Sequence, residues 1–400
     1  MTRRRIALYS HDTQGLGHIR RNVELAAALV DADADTDVLL LTGAPEATAL
    51  PLPANTEVLT LPAVGKDADG GYGARVLDLS LAEVLDLRGR LIAAAVTSFT
   101  PDLFIVDKVA RGLGGELDRA LRALRGNGRT RVVLGLRDVL DSPDVTRREW
   151  QDANTTSVLL TSYDQVWVYG DAGVYDMVAE YRLPEAIARM IRFTGYLGHG
   201  RGRSLDARPG SAAAAAGAPA EPYVLCMVGG GQDGADLARS FARTPLPAGH
   251  HGVLVTGPYM DAGTRAAVHR AAAGRDDLQV HEFVTDTLDL IRGARAVVTM
   301  GGYNTVCEVL AAARPALVVP RERPRLEQAI RADRLAEAGY LDTMRPNRAD
   351  PRRLGAWLAE AVGRGPRPHR IDLDGLSSVP ALARRLLTAP TTLESSRVPA

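Results

Sequence analysis

Short apolar runs rich in β-branched residues alternate with segments of helical period through the first half of the chain. Apolar residues recur at helical spacing between Ile19 and Val30, and again between Leu81 and Ile92. Strand-like runs are found at residues 6–9, 38–41, 57–61, 103–106, 131–134 and 165–168. Because continuously apolar strands that alternate with helices are typical of a parallel sheet covered on both faces, the pattern predicts a doubly wound α/β domain.

The same alternation begins again in the second half of the chain. Strands are predicted at residues 223–228, 252–256, 278–281, 296–300 and 316–319. Helices are predicted at residues 234–243, 263–273, 286–293, 304–313 and 326–338. The sequence therefore predicts a second doubly wound α/β domain, joined to the first by a hinge.

Composition shifts suggest where one domain ends and the next begins. Residues 198–221 are rich in Gly, Ala, Pro and Arg, which predicts a linker or mobile loop between domains at 1–197 and 222–375. A helix at 376–390 is expected to cross back to the first domain, and the polar end, 391–400, is expected to be disordered.

The bulk composition excludes several classes of protein. Hydrophobic residues make up 46% of the chain and charged residues 24%, and the formal net charge is zero, so no general attraction to nucleic acid is expected. The two cysteines lie in apolar stretches, which favours buried thiols in a reducing compartment. No apolar run reaches the roughly 18 residues of a membrane-spanning helix, and the basic start lacks the apolar core of a signal peptide. We expect a cytoplasmic protein and leave peripheral membrane contact open.

A glycine turn follows the first strand, in the stretch SHDTQGLGHIRRN. Gly15 and Gly17 invite comparison with the dinucleotide-binding fingerprint, but Arg20 replaces its third glycine. The second strand ends at Thr42 without the acidic residue that would hold a ribose. The turn instead lets the backbone approach a ligand and places His18 at the carboxyl ends of the strands, where open α/β sheets bind ligands.

A second glycine turn follows the first strand of the second half. Gly229, Gly230 and Gly231 precede Gln232 and a predicted helix. Free backbone N–H groups at such a helix start suit an oxyanion such as a diphosphate, although a tight turn without a ligand is an equal alternative.

A third turn, Gly301–Gly302, precedes a helix that Asn304 or Thr305 is expected to cap. Glu308 lies one turn further on, where a carboxylate can accept two hydrogen bonds from a cis-diol such as ribose. The alternative for Glu308 is a solvated helix face.

After the next strand, Arg321 is followed by Glu327 and Gln328, again at a strand's carboxyl end. Polar groups gathered at these edges suit a nucleotide with a polyhydroxylated appendage. The alternative for Glu327 and Gln328 is an ordinary helix start.

Together these motifs resemble GT-B-fold glycosyltransferases related to MurG, the N-acetylglucosaminyltransferase of peptidoglycan assembly. The resemblance is strongest at residues 228–241 and 281–340 and moderate at 6–25 and 101–140. It implies two Rossmann-like domains that face a central cleft, the first for the acceptor and the second for a nucleotide-diphosphate sugar, with UDP expected as the nucleotide. It also implies an inverting sugar transfer to an acceptor hydroxyl that needs neither metal nor cofactor.

The resemblance assigns donor contacts in the second domain. A motif similar to HEFVTD lies against the base in the family, which places Phe283 and the Val284 backbone there. The family's Gly-Gly-Ser-Gln turn matches residues 229–232, with glycine in place of serine. The helix-borne glutamate that holds the ribose matches Glu308. A Gln-Gln pair near the sugar matches residues 327–328, where the first Gln is Glu, so the sugar stays open.

The family's N-terminal turn faces the acceptor and matches Gly15 to His18. An attacking hydroxyl has to lose a proton, and an imidazole has a suitable pKa, so His18 is the candidate base and Asp107 the carboxylate that orients it. The alternative for His18 is a structural or helix-capping role. Helix N-termini and Arg321 are expected to stabilise the departing diphosphate.

Two further residues are assigned to the acceptor side, Arg20 and Asp138. The acceptor itself is left open among a lipid-linked sugar, the end of a glycan and a small natural product. An Asp-x-Asp pattern in residues 30–38 is interpreted as a solvated loop and not as a metal site.

Two other functions fit the same reading of the sequence. One is a nucleotide-sugar 2-epimerase or hydrolase, which would consume the nucleotide sugar without an acceptor. The other is a sugar-nucleotide-binding protein that has lost catalysis. A dehydrogenase is a distant third, because the dinucleotide fingerprint is incomplete.

Overall fold

The computed structural model describes residues 3–13, 16–66, 71–201, 217–284, 287–367 and 370–389. Within these described ranges, nine strands lie in the first half: β1 (Arg4–Ser10), β2 (Thr36–Thr42), β3 (Thr56–Thr60), β4 (Val64–Lys66), β5 (Tyr72–Ala74), β6 (Leu103–Asp107), β7 (Arg131–Arg137), β8 (Gln165–Tyr169) and β9 (Ile191–Phe193). Six lie in the second: β10 (Tyr223–Met227), β11 (His251–Val255), β12 (Leu278–His281), β13 (Ala296–Thr299), β14 (Ala316–Val318) and β15 (Asp342–Thr343).

Helices connect these strands in both halves. In the first half they are α1 (Gly17–Ala32), α2 (Leu81–Phe99), α3 (Asp118–Asn127), α4 (Pro143–Asp152), α5 (Thr155–Ser162), α6 (Met177–Tyr181) and α7 (Glu185–Ala188). In the second half they are α8 (Ala235–Ala242), α9 (Ala262–Ala272), α10 (Thr287–Gly293), α11 (Tyr303–Ala312), α12 (Glu327–Glu337), α13 (Pro351–Ala361) and α14 (Gly375–Thr388).

The strands form two separate parallel sheets. The first has seven strands in the order β3-β2-β1-β6-β7-β8-β9, and the second has six in the order β12-β11-β10-β13-β14-β15. Every pairing within these two sheets is parallel, whereas β4 and β5 form an antiparallel hairpin of their own. The predicted strands all occur in the predicted order. The hairpin, β9 and β15 were not predicted, since two or three residues are too few to establish a period.

In both sheets the strand order reverses at one point. The reversal lies between β1 and β6 in the first sheet and between β10 and β13 in the second. Connections leave in opposite directions there, and the crevice beyond the carboxyl ends of the strands is where such sheets bind ligands. All three glycine turns follow one of these four strands, and Asp107 ends β6.

The buried face of α2 differs from the predicted one. Leu91, which belongs to the predicted apolar stripe, is 38% exposed, whereas Arg88 is fully buried. The Arg88 guanidinium donates to Glu116 Oε1 at 3.0 Å and to the Pro62 carbonyl at 2.7 Å. A buried arginine whose partners lie elsewhere in the chain leaves no trace in apolar periodicity.

The last described helix returns to the first domain. Leu376, Val379, Ala383 and Leu386 of α14 belong to the same buried cluster as Leu25 and other residues of α1. Arg131 at the start of β7 donates to the Ala389 carbonyl at 2.6 Å. Of the predicted linker, residues 202–216 lie outside the described residues, as does the predicted tail at 391–400.

A buried ion pair joins the two domains. Arg331 on α12 donates through Nε to both carboxylate oxygens of Asp138, which follows β7, at 2.8 and 3.0 Å, and both side chains are 1% exposed. Tyr196 donates to the same carboxylate at 3.0 Å, and Arg331 Nη1 donates to the Gly301 carbonyl at 3.1 Å. Asp138 was assigned to the acceptor side. The structure corrects this, because its oxygens are taken up by the contact between the domains.

Tyr303, the first residue of α11, lies at the centre of this contact. Its hydroxyl donates to the Tyr169 carbonyl at the end of β8, at 2.8 Å. The guanidinium carbons of Arg21 and Arg331 lie 5.8 and 5.6 Å from its ring centroid. Tyr196 stacks on it at a centroid distance of 6.1 Å. The carboxyl edges of the two sheets are therefore held against each other by a packed polar junction.

We predict that Asp138→Leu lowers the free energy of unfolding by about 3–5 kcal/mol, because it leaves Arg331 buried without a counter-charge. Urea denaturation of the purified protein measures the effect. The matched control is the double variant Asp138→Leu/Arg331→Met, which removes both charges and should lose less stability than the single variant. Equal losses in the two variants would contradict the prediction.

Candidate functional site

His18 and Asp107 meet at the reversal point of the first sheet. Asp107 is the last residue of β6, and His18 lies in the first turn of α1, which follows β1. The His18 Nδ1 atom is hydrogen-bonded to Asp107 Oδ2. Since an ionised carboxylate can only accept, Nδ1 carries the proton in the neutral ring, and Nε2 is left as an acceptor. The side chain of His18 is 15% exposed, whereas that of Asp107 is 2% exposed.

Arg21 completes the group, one helical turn beyond His18. Its Nε donates to Asp107 Oδ1 at 3.0 Å, and it is 2% exposed. Burial alone would raise the pKa of Asp107, but Arg21 and His18 lower it well below its ordinary value, so the carboxylate is ionised. Burial lowers the pKa of His18, against the opposing pull of Asp107. The imidazole is thus neutral at physiological pH and able to accept a proton.

A second histidine, His11, packs beside His18. The two ring centroids are 5.2 Å apart, and the His11 Nδ1 is buried without a hydrogen-bond partner among the described residues. Burial, followed by the charges of His18 and Lys108, lowers the pKa of His11 well below the ordinary value. His11 lies in the same quoted stretch as His18, but its place after β1 gives no sequence signal that the two rings would touch.

The turn at residues 229–231 follows β10 on the facing sheet. Gly231 has φ of +94°, and a Cβ there would lie 2.5 Å from the Thr256 carbonyl oxygen, so only glycine fits. The turn leads through Gly234 into α8, whose first N–H groups face the carboxyl edge of the sheet. Gly229, Gly230 and Gln232 are exposed there.

The turn at Gly301 and Gly302 lies beside it, after β13. Gly301 has φ of +86°, and a Cβ there would lie 2.7 Å from Val318. Gly302 is the N-cap residue of α11, and no side chain caps the helix, contrary to the expectation for Asn304 or Thr305. Asn304 instead donates through Nδ2 to the Gly17 carbonyl of the first domain, at 3.0 Å. The acceptor-side turn and the donor-side turn therefore touch.

Glu308 lies further along α11 and is partly buried, with 12% of its side chain exposed. Its Oε2 accepts a hydrogen bond from the Thr287 hydroxyl at 2.9 Å, and Arg201 Nε lies 3.7 Å from Oε1. The structure thus holds this carboxylate in a fixed orientation. Phe283 and Val284, which were predicted to lie against the nucleotide base, are followed by Thr285 and Asp286. These last two lie outside the described residues.

Phe283 and Arg20 meet across the junction of the two domains. The Arg20 guanidinium carbon lies 5.6 Å from the Phe283 ring centroid, and the ring is 45% exposed. Val284 is buried. Arg20, assigned to the acceptor side, is therefore in contact with the residue assigned to the nucleotide base. Gly15, which was also assigned to the acceptor side, lies outside the described residues.

Arg321, Glu327 and Gln328 form one cluster, as the sequence spacing suggests. Arg321 donates to Glu327 Oε1 at 2.6 Å and to Asp233 Oδ2 at 2.9 Å, and its backbone N–H donates to Gln328 Oε1 at 3.2 Å. Burial would raise the pKa of Glu327, but Arg137 and Arg321 lower it below the ordinary value. The second oxygen, Oε2, is buried without a partner among the described residues.

Two cations in the cleft were not identified from the sequence, Lys108 and Arg137. Burial, followed by the charge of Arg137, lowers the pKa of Lys108 to about 7. Burial and Arg331 lower the pKa of Arg137 to about 10. The only signals in the sequence are that both residues end or follow apolar strands and that Lys108 is one of two lysines in the chain.

The second domain matches a known family model. Residues 225–370 match the glycosyltransferase family 28 C-terminal domain. Over 121 residues the chain is 29% identical to an uncharacterized glycosyltransferase of Methanosarcina mazei, which covers 30% of each protein. Over 123 residues it is 30% identical to the UDP-N-acetylglucosamine–N-acetylmuramyl-(pentapeptide) pyrophosphoryl-undecaprenol N-acetylglucosamine transferase of Haemophilus ducreyi, covering 30% of this chain and 34% of that one. The chain thus matches about a third of the length of these curated relatives.

Solved structures match both domains together. MurG from Acinetobacter baumannii aligns with a TM-score of 0.53 and 15% identity over 97% of this chain and 96% of that one. The calicheamicin glycosyltransferase CalG4 aligns with a TM-score of 0.57 and 18% identity over 96% and 94%. UDP-glucose:anthocyanidin 3-O-glucosyltransferase in complex with UDP aligns with a TM-score of 0.59 and 12% identity over 97% and 95%. These structures confirm the predicted GT-B fold. The resemblance to MurG-related glycosyltransferases is confirmed by the family match of the second domain and the sequence relatives.

Acid should destabilise the protein through His11. An unfolded histidine binds a proton near about pH 6.5, whereas folded His11 stays neutral, so the unfolded state binds more protons and stability falls as the pH falls. Between about pH 7.5 and about pH 5.5 this one group contributes a slope of up to about 1.4 kcal/mol per pH unit.

Urea denaturation at both pH values measures this dependence. His11→Gln should unfold with a visibly weaker pH dependence than the natural protein. His269→Gln, at an exposed position on α9, is the matched control and should behave like the natural protein. An unchanged pH dependence in His11→Gln would show that other groups are responsible.

Proposed function

We propose that the protein transfers a sugar from a nucleotide-diphosphate donor, with UDP as the expected nucleotide, to an acceptor hydroxyl. The observation that carries the proposal is the position of the His18–Asp107 pair directly across from the glycine turns of the second sheet. Asn304 and Gly17 connect these two edges at 3.0 Å. The match of the second domain to a glycosyltransferase family model supports the same assignment.

His18 is the proposed general base. With Nδ1 held by Asp107, the Nε2 lone pair can take the proton from an acceptor hydroxyl as its oxygen attacks the anomeric carbon. The new carbon–oxygen bond forms while the bond from the anomeric carbon to the phosphate oxygen breaks. The electron pair leaves with the nucleoside diphosphate, and the proton stays on His18. Attack from the side opposite the leaving group inverts the anomeric configuration, and these steps use no metal or cofactor.

The donor is proposed to lie along the second sheet. The N-termini of α8 and α11 present free N–H groups and positive dipole ends to the diphosphate. Glu308 would accept hydrogen bonds from the ribose, and Phe283 would lie beside the base. Arg321 is already bound to Asp233 and Glu327, so its role would be to hold Glu327 and Gln328 near the sugar.

The acceptor is proposed to enter from the first domain, where His18 faces the cleft. Its class stays open among a lipid-linked sugar, a glycan end and a small natural product. Among the described helices, none has both the length and the apolar character needed to cross a membrane. Peripheral contact with a membrane remains a prediction.

We predict that His18→Ala reduces kcat by a factor of about 10² to 10⁴, because the attacking hydroxyl loses its general base. The dissociation constant for UDP, measured by calorimetry, should stay within about twofold of the natural value. His269→Ala, on the exposed face of α9, is the matched control. Parallel losses of turnover and of UDP affinity would contradict the proposed role.

The same assay separates the alternative functions. A 2-epimerase or hydrolase would consume the nucleotide sugar whether or not an acceptor substrate is added. A protein that only binds sugar nucleotides would bind UDP and turn over nothing. Transfer that requires an added acceptor would support the glycosyltransferase.

We also predict that the protein binds UDP more tightly than 2′-deoxy-UDP, and that Glu308→Gln removes most of this difference. A neutral amide accepts more weakly than a carboxylate, so hydrogen bonds from the ribose lose strength. Because both ligands bind the same variant, the comparison is insensitive to a general loss of stability. If Glu308→Gln keeps the full preference for UDP over 2′-deoxy-UDP, Glu308 does not bind the ribose and the prediction is wrong.

A further inference from the structure

Two cationic side chains in the cleft, Lys108 and Arg137, form no ion pair with a described residue. Asp107 pairs with Gly135 in the register of β6 and β7, so these two residues leave neighbouring strands at the same edge. Neither side chain makes a hydrogen bond or ion pair with a described residue, and the Arg137 Nε atom is fully buried. The pair lies beside Asp107, at the reversal edge where His18 also lies.

Most of the other arginines described around the same edge are paired with a carboxylate, and the Arg20 guanidinium contacts the Phe283 ring instead. Arg21, Arg321, Arg325 and Arg331 each donate to at least one carboxylate. The unpaired state of Lys108 and Arg137 is therefore not a general property of the cleft. Lys108 and Arg137 are both partly exposed, and the charges of Asp107 and Glu327 act on them without forming an ion pair. Two like charges side by side repel each other, so a site of this kind gains from an anion that comes with a substrate.

The backbone at Lys108 adds to this picture. Lys108 has φ of +68°, and the Val109 N–H donates across it to the Asp107 carbonyl at 2.8 Å, which forms a tight γ-turn. A non-glycine residue rarely takes this conformation, and such strain is concentrated at functional sites. The turn separates the directions of Asp107 and Lys108, so that one side chain bonds His18 and the other stays near Arg137.

We infer that Lys108 and Arg137 form a subsite for a carboxylate on the transferred sugar, so that the donor is a nucleotide-linked uronic acid. The inference rests on the proposed function, because it takes the sugar to lie near Glu327 and Gln328. Glu327 is a charged neighbour of both cations, and its free Oε2 can accept a hydrogen bond from a sugar hydroxyl. A doubly charged phosphate would meet the Glu327 charge, whereas a singly charged carboxylate beside a hydroxyl suits all three groups.

The first experiment tests the subsite without a nucleotide. Thermal unfolding is followed with D-glucuronate and with D-glucose at equal ionic strength. Glucuronate should raise the Tm of the natural protein and glucose should not, and Arg137→Met and Lys108→Met should each lose the response. Without ligand, both variants should unfold at the natural Tm or above it, because each removes an unpaired cation. Arg129→Met, exposed before the opposite end of β7, is the matched control and should keep the response.

The second experiment places the carboxylate on the donor. Calorimetry should give UDP-glucuronate an affinity at least tenfold higher than UDP-glucose, and Arg137→Met should abolish the difference while the affinity for UDP alone changes less than twofold. If the protein does not bind UDP, the proposed function is contradicted. The glucuronate response would still show whether Lys108 and Arg137 bind a carboxylate.

Four results would overturn the inference. The first is the absence of a glucuronate response in the natural protein. The second is a response that survives in both Arg137→Met and Lys108→Met. The third is stronger stabilisation by inorganic phosphate through the same two residues. The fourth is equal affinity for the two UDP sugars together with a glucuronate response, which would indicate that the carboxylate belongs to the acceptor.

Discussion

The arrangement of the molecule depends on a buried charge contact between its two halves. Arg331 of the second domain and Asp138 of the first are both 1% exposed, and neither could remain charged there without the other. Arg331 also donates to the Gly301 carbonyl and packs on Tyr303, which Arg21 contacts as well. Arg21 bonds Asp107, which bonds His18. The domain junction and the candidate base are therefore parts of one network.

Much of the fold follows from local patterns. Apolar runs followed by segments of helical period predicted the strands of both sheets. Glycines directly after strands predicted turns at 15–17, 229–231 and 301–302. The proximity of His18 and Asp107 could be predicted for the same reason, because both were placed at the carboxyl edge of one sheet. In a parallel sheet the strands all end at one edge, so residues at the strand ends can be predicted to lie close together before any side-chain contact is known.

The rest depends on partners that are distant in the sequence. Asp107 and Asp138 both end or follow apolar strands of the first sheet, yet one bonds a histidine and the other an arginine 193 residues away. Asn304 has a residue type that commonly caps helices, but it is the second residue of α11 and its side chain donates to the Gly17 carbonyl of the other domain. Arg88 lies on a helix face that periodicity would leave to solvent, and Glu116 draws it inward. In each case the residue type permits several roles, and only the packed structure selects one.

Whether a polar side chain is fully paired also distinguishes residues that stabilise the fold from residues that are available to bind a ligand. A polar side chain whose bonds are complete, such as Asp138, contributes to the junction and has nothing left for a substrate. The Arg137 Nε atom and the second oxygen of Glu327 are buried without a partner among the described residues, and the partly exposed Lys108 forms no ion pair with those residues. Folding alone does not repay the desolvation of such groups. We therefore expect the edge between the two sheets to gain hydrogen bonds and charge pairing when a polar, anionic molecule occupies it.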